Sequence, residues 1–124
     1  MNFDSAPEFN KDVKRLAKKW RSIPDDIEAA KRYILPLYVQ LAPDVDTKEY
    51  RREFFAGKNA VIIYDGKTVE IIKIRLDVAY LGRNDKVRIV FVAVKTNDEI
   101  VFVELFAKND KNREDKSRFR QYLK

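Results

Sequence analysis

The sequence predicts a single α+β domain over residues 1–124: an N-terminal helical hairpin packed on a small antiparallel β-sheet, with a closing C-terminal helix. Three observations predict it. Apolar residues recur at helical spacing through the first third of the chain. From Val69 onward, three runs rich in Val, Ile and Phe have strand length and are split by short polar connections. The tail from Asn109 to Lys124 is polar and basic, with Phe119, Tyr122 and Leu123 near its end. A chain of 124 residues is long enough for one core and short for two.

The first helix is expected behind Ser5-Ala6-Pro7-Glu8, which has the spacing of a capping box with a proline tolerated in the first turn. Phe9, Val13, Leu16, Ala17 and Trp20 make one apolar stripe. Lys11, Lys14, Arg15, Lys18, Lys19 and Arg21 take the other faces, with Asp12 the one acid among them. Ser22-Ile23-Pro24-Asp25 restarts the pattern with a cap, a proline and acids where the helix dipole favours them. Ile27, Ala30, Ile34, Leu37, Tyr38 and Leu41 continue the apolar face, and Pro36 kinks or divides that helix. Tyr50, Phe54 and Phe55 mark a short third helix ending at Gly57. Ala60 to Tyr64 is a minor strand or an irregular extension, followed by the Asp65-Gly66 hairpin signal.

The main sheet is read over Val69 to Val78, Val87 to Lys95 and Ile100 to Ala107, joined by Leu81 to Lys86 and by Thr96-Asn97-Asp98 as an antiparallel meander. Period-two alternation puts Lys73 and Arg75 on one face of the first strand and Ile72, Ile74 and Leu76 on the other. In the third strand the same rule groups Val101, Val103, Leu105 and Ala107 against Phe102, Glu104, Phe106 and Lys108. Buried charge is costly, so cations at Lys73, Arg75, Arg88 and Lys108 within apolar strands point to a shared polyanion-binding face.

Composition narrows the chemistry. The chain carries 26 Lys and Arg against 20 Asp and Glu, a net charge of +6, and neither His nor Cys. The charge favours an anionic partner, nucleic acid or an acidic protein. Without Cys there are no disulfides and no thiolate chemistry, and without His the usual zinc sites cannot be built. No metal and no cofactor are expected. No apolar run approaches the roughly 20 residues that span a bilayer. With a polar N-terminus and no signal-peptide core, a soluble, cytoplasmic protein without membrane contact is expected.

The order of these elements resembles the RelE/ParE superfamily of bacterial toxins. Phe9 to Leu16 resembles the start of that family's first helix, Lys73-Ile74-Arg75 its basic strand, Asp85 to Phe91 (DKVRIVF) the next strand, and Val101 to Lys111 the last strand and its exit. The resemblance implies a toxin held inactive by a cognate antitoxin, as a monomer or a toxin–antitoxin heterocomplex. It also implies cleavage of mRNA on the ribosome, or inhibition of DNA gyrase in the ParE branch. A non-catalytic RNA-binding regulator of the same fold is a third class.

RNA cleavage without metal or histidine leaves lysine for proton transfer and arginine for gripping phosphate. On that basis Lys73 is the proton-transfer candidate, and Arg75 and Arg88 are stabilisers of phosphate and transition state. Lys108 completes the catalytic set. Arg83, Lys86, Lys111 and Arg113 are the expected RNA-binding cations around it. The resemblance also implies an Arg after the last strand and a Tyr near the closing helix. Asn109 or Asp110 stands where that Arg is expected, and Tyr122 is the nearest C-terminal tyrosine.

Overall fold

A computed structural model describes residues 1–41, 43, 46–57, 59–79, 87–108, 110–111 and 113–123. The chain begins with a strand, β1 (Asn2–Ser5), and enters α1 (Pro7–Lys19) through Ala6. Ser5 therefore belongs to β1, and the expected capping box does not form. The helix starts on Pro7 with Ala6 at its N-cap and no side-chain cap, while the Ser5 hydroxyl donates to Asn10 Oδ1 at 2.9 Å. Next come α2 (Ile23–Ile34) and a 3₁₀ turn over Leu35–Leu37. Pro36 divides the second helix there, as its missing N–H requires. The third helix, α3 (Thr47–Ala56), is capped by Asp46, whose carboxylate accepts the N–H groups of Lys48 and Glu49. Gly57 follows it at the C-cap.

The sheet has five strands in the order β1-β5-β4-β3-β2, with β2 Ala60–Asp65, β3 Val69–Arg75, β4 Val87–Val94 and β5 Glu99–Ala107. From β2 to β5 it is the expected antiparallel meander. The minor strand is the edge strand β2, and β1 adds a parallel pairing to β5 that the sequence reading did not anticipate. Four residues with exposed Asn2 and Asp4 carry too little apolar pattern to announce a strand.

Both faces of the sheet are covered. On one, Ile72, Ile74, Ile89, Phe91, Phe102 and Leu105 pack against Phe9 and Leu16 of α1, Trp20 at its C-cap, and Ile23, Ile27 and Ile34 of α2. On the other, Ile71, Val90, Val92, Val101, Val103 and Phe106 are closed over by Phe119, with Tyr122 beside it. The closing segment takes the form of two 3₁₀ turns, Lys116–Arg118 and Arg120–Leu123, held as a strap by the single buried Phe119. One apolar anchor among so many charges supplies no continuous helical stripe to bury.

Strand parity in β5 departs from strict alternation. Val90 pairs with Glu104 and Phe91 with Phe102, so Val103 is the extra residue of a β-bulge. Val101, Val103 and Phe106 consequently share the strap face, and Phe102, Leu105 and Ala107 face the helices. The expected grouping of Val101 and Val103 with Leu105 and Ala107 is thus corrected by one inserted residue.

The bulge lies where β5 loses its outer neighbour. β1 pairs only as far as Phe102, after which Ala6 N–H donates to Phe102 O at 2.9 Å and the chain turns into α1. Two side chains complete the edge. Leu105 N–H donates to Asp12 Oδ2 at 3.0 Å, and Arg118 donates to Val103 O at 3.3 Å. Arg118 and Asp12 also pair with each other through both carboxylate oxygens. This pair ties α1, the bulge and the strap together.

Candidate functional site

Register places the predicted cations. Arg75 on β3 is directly opposite Arg88 on β4, and Lys73, opposite Val90, lies two residues along the same face. Register makes this the strap side of the sheet, although at the strand end Arg75 also lines a cavity with Tyr33 of α2 and Glu53 and Phe54 of α3. Lys73 and Arg75 are partly exposed, and all three alternate with buried residues: Ile72 and Ile74 in β3, Val87 and Ile89 in β4. Register thus sets Lys73, Arg75 and Arg88 at alternating positions on one side of the sheet.

Their partners were not foreseen. Lys73 Nζ donates to Glu114 Oε2 at 3.0 Å, with both side chains largely buried. Burial works to raise the Glu114 carboxyl, but a backbone N–H and the Lys73 ammonium outweigh it and hold it below the ordinary carboxylate range. Arg75 Nε is 3.5 Å from the exposed Asp77. One Arg88 amino group donates to Val87 O at 3.3 Å. The nearest charge to Lys73 is thus a carboxylate, not the crowd of cations that a lysine base would need.

Of the remaining candidates, Lys108 lies in the turn after β5, exposed, two residues beyond the Phe106 that pairs with Arg88. It belongs to the same end of the sheet but to no strand. Lys111 is drawn inward instead: it pairs with Glu104 and sits over the Phe106 ring at 5.4 Å. Arg113 is exposed. Arg83, Lys86 and Asn109 lie outside the described residues. Asp110 is an exposed turn residue whose N–H donates to Ala107 O. Tyr122 packs beside Phe119 and is half-buried.

Glu104 was visible in the sequence as one acid inside an apolar strand. It is fully buried under the strap, accepts Asp115 N–H at 2.7 Å and pairs with Lys111. A second buried carboxylate, Glu70, lies on the helix side at the opposite end of β3. It accepts from Tyr38 at 2.6 Å and from Arg51 at 2.6 and 2.7 Å, with Lys95 at 3.4 Å. Burial works to raise the Glu70 carboxyl, and the Tyr38 and Arg51 hydrogen bonds prevail, leaving it lowered. Burial, then the bond to Glu70, pushes the Tyr38 phenol far up. Arg51 comes from α3, Tyr38 from the end of the 3₁₀ turn and Lys95 from the β4–β5 connection, so this network fastens α3 and the 3₁₀ turn to β3.

Among the described residues, no group of three or more His, Cys, Asp or Glu side chains is arranged to hold a metal ion, and no helix is long and apolar enough to cross a membrane. Fold and site together define an α+β domain with a cationic, strap-covered sheet face. No protein-family model matches the chain, and no curated protein matches it. Among solved structures, a chain of the archaeal RelE-RelB complex from Pyrococcus horikoshii OT3 is similar, with a TM-score of 0.49 and 13% sequence identity, over 89% of this chain and 97% of that chain.

Proposed function

We propose that this protein is the toxin of a toxin–antitoxin pair and cuts ribosome-bound mRNA without a metal ion, using the sheet face of Lys73, Arg75 and Arg88. The observation that carries this reading is the direct cross-strand opposition of Arg75 and Arg88 with Lys73 on the same face. Like charges placed opposite each other in a sheet are destabilising. A phosphate between the two guanidiniums accepts charge-assisted hydrogen bonds from both. The ordered likeness of Phe9–Leu16, Lys73–Arg75 and Val101–Lys111 to RelE-type segments supports the choice of RNA.

The Lys73–Glu114 pair changes the division of labour expected from sequence. Glu114, ionised at neutral pH, takes the proton of the attacking 2′-hydroxyl. As the 2′-oxygen forms its bond to phosphorus, the bond to the 5′-oxygen breaks, and the Lys73 ammonium protonates that leaving oxygen. A 2′,3′-cyclic phosphate and a free 5′-hydroxyl result. Arg75 and Arg88 stabilise the charge that builds on the phosphorane. An acidic antitoxin and the ribosome are the partners, and the cytoplasm is the compartment.

Induced expression of the protein should arrest growth with cut transcripts. The Lys73→Ala, Arg75→Ala, Arg88→Ala triple variant should fold and be harmless. Continued toxicity of that variant would remove the assignment. A second reading, binding to DNA gyrase without chemistry, is favoured by one observation: Lys73 is already neutralised by Glu114. Loss of supercoiling with intact transcripts would establish it instead.

A further inference from the structure

We infer that the free edge of β2 is a self-association surface, and that its occupant is the same strand of a second copy of this chain. Among the described residues the strand order leaves β2 with one neighbour, β3, and an open row of backbone donors and acceptors on its other side. The side chains there are unusually apolar for a surface. Val61 is 49% exposed, Ile62 38% and Tyr64 41%. Open, apolar edges are what soluble proteins ordinarily blunt with lysine, proline or a covering element.

A bulge concentrates this surface. Ile62 pairs with Ile72 and Tyr64 with Ile71, so Ile63 is the extra residue. Val61, opposite Lys73, and Tyr64, opposite Ile71, then share the strap face, and Ile63 packs at the rim of that face's apolar cluster. The result is a compact patch on one side of the strand. Gly66 holds the patch in place at the turn. A Cβ there would meet Tyr64 Cε2 at 2.7 Å and Val69 O at 3.0 Å, so only glycine lets the Tyr64 ring lie across the hairpin.

Charge decides the occupant. From Ala60 to Tyr64 the strand carries no cation or carboxylate, and Asp65, exposed at its turn end, is the one charge in β2, in a chain that is 37% Asp, Glu, Lys and Arg. An acidic polypeptide or a polyanion finds no cation on β2 to pair with, and a basic partner finds only Asp65 at its end. A second copy presents the same uncharged strip and is antiparallel to it about a two-fold axis, as an isologous interface requires. Such pairing continues the two sheets into one. Because a two-fold perpendicular to the sheet keeps like faces together, both sets of Lys73, Arg75 and Arg88 lie on the same side of the joined sheet. The inference does not depend on what those cations do.

Light scattering coupled to size exclusion on the purified full chain tests this, together with amide exchange at several concentrations. The expected mass is twice the 14.7 kDa of one chain, with β2 amides protected in a concentration-dependent way. Val61→Lys with Tyr64→Lys should give a monomer with unprotected β2 amides. Val61→Thr with Tyr64→Thr, which keeps strand propensity and lowers the risk of misfolding, should weaken the dimer at least tenfold. A monomeric wild type at all concentrations overturns the inference, as does a dimer that survives both variants. Protection of β2 only when an acidic partner protein is added would assign the edge to that partner and equally refute self-pairing.

Discussion

Replacing Asp12 with alanine removes the group that closes the open part of β5. Asp12 is 1% exposed, accepts Leu105 N–H at 3.0 Å, pairs with Arg118 through both oxygens and lies 3.6 Å from Arg15. Its loss leaves the partly buried Arg118 guanidinium without its main counter-charge and Leu105 N–H without an acceptor. Breaking a buried ion pair from one side costs about 3–5 kcal/mol, and an orphaned buried N–H about 1–3 kcal/mol. The two share one carboxylate and do not add. Arg118 also retains Glu8 at 3.3 Å and Asp115 at 3.9 Å. The expected destabilisation is therefore about 3–4 kcal/mol, a large part of the roughly 5–15 kcal/mol that holds a domain together. Asp12→Asn keeps an acceptor for Leu105 and should cost about half as much. Urea unfolding, read as a midpoint change at constant slope, measures both. A double-mutant cycle with Arg118→Ala should show coupling above about 1 kcal/mol. A loss below about 1 kcal/mol for Asp12→Ala, or strictly additive single effects, would refute the claim that this pair finishes the sheet edge.

Glu114→Gln frees Lys73 from its carboxylate. It should tighten RNA binding several-fold and steepen the salt dependence by about 0.7 of a log unit per log unit of salt, the contribution of one added phosphate contact on a single strand, as fluorescence anisotropy across a salt series will show. The same variant should cut RNA more slowly, because the proton acceptor is gone. Phe119→Ala removes the one buried anchor of the strap and should cost about 3–4 kcal/mol in chemical denaturation, with new amide exchange over residues 113–123. Glu70 and Glu114 both titrate below their ordinary value of 4.5 in the folded state. Their contribution is present above that value and is lost as the pH falls through the lower folded values, so stability should drop on the acid side. Glu70→Gln should flatten that acid limb while lowering stability near neutrality by about 2 kcal/mol.

The elements that were legible in the sequence are those with a strong local period. The Phe9, Leu16 and Trp20 stripe, the Pro36 division and the Val/Ile/Phe strands each announce themselves within about ten residues. Lys73 and Arg75 sharing a face follows from alternation, and Arg88 joins them once the meander is accepted. What escaped depends on distant partners. β1 is a strand because β5 offers it a parallel edge, not because Asn2 to Ser5 favours one. The Val103 bulge reverses the parity of half of β5, and nothing local marks it. Asp12, which holds the Leu105 N–H just beyond it, is 93 residues away along the chain. Glu114 reads as one acid in a basic tail until the strap lays it on Lys73. The expected helix there became 3₁₀ turns because a lone Phe119 does the docking.

The most direct test of the cationic face is primer extension on an mRNA being translated by purified ribosomes. The wild-type protein should leave discrete cuts within the translated region, each with a 2′,3′-cyclic phosphate end, and Arg75→Ala with Arg88→Ala should leave the transcript whole. Intact transcripts with the wild type, or an undiminished cutting pattern with the double variant, would contradict the account.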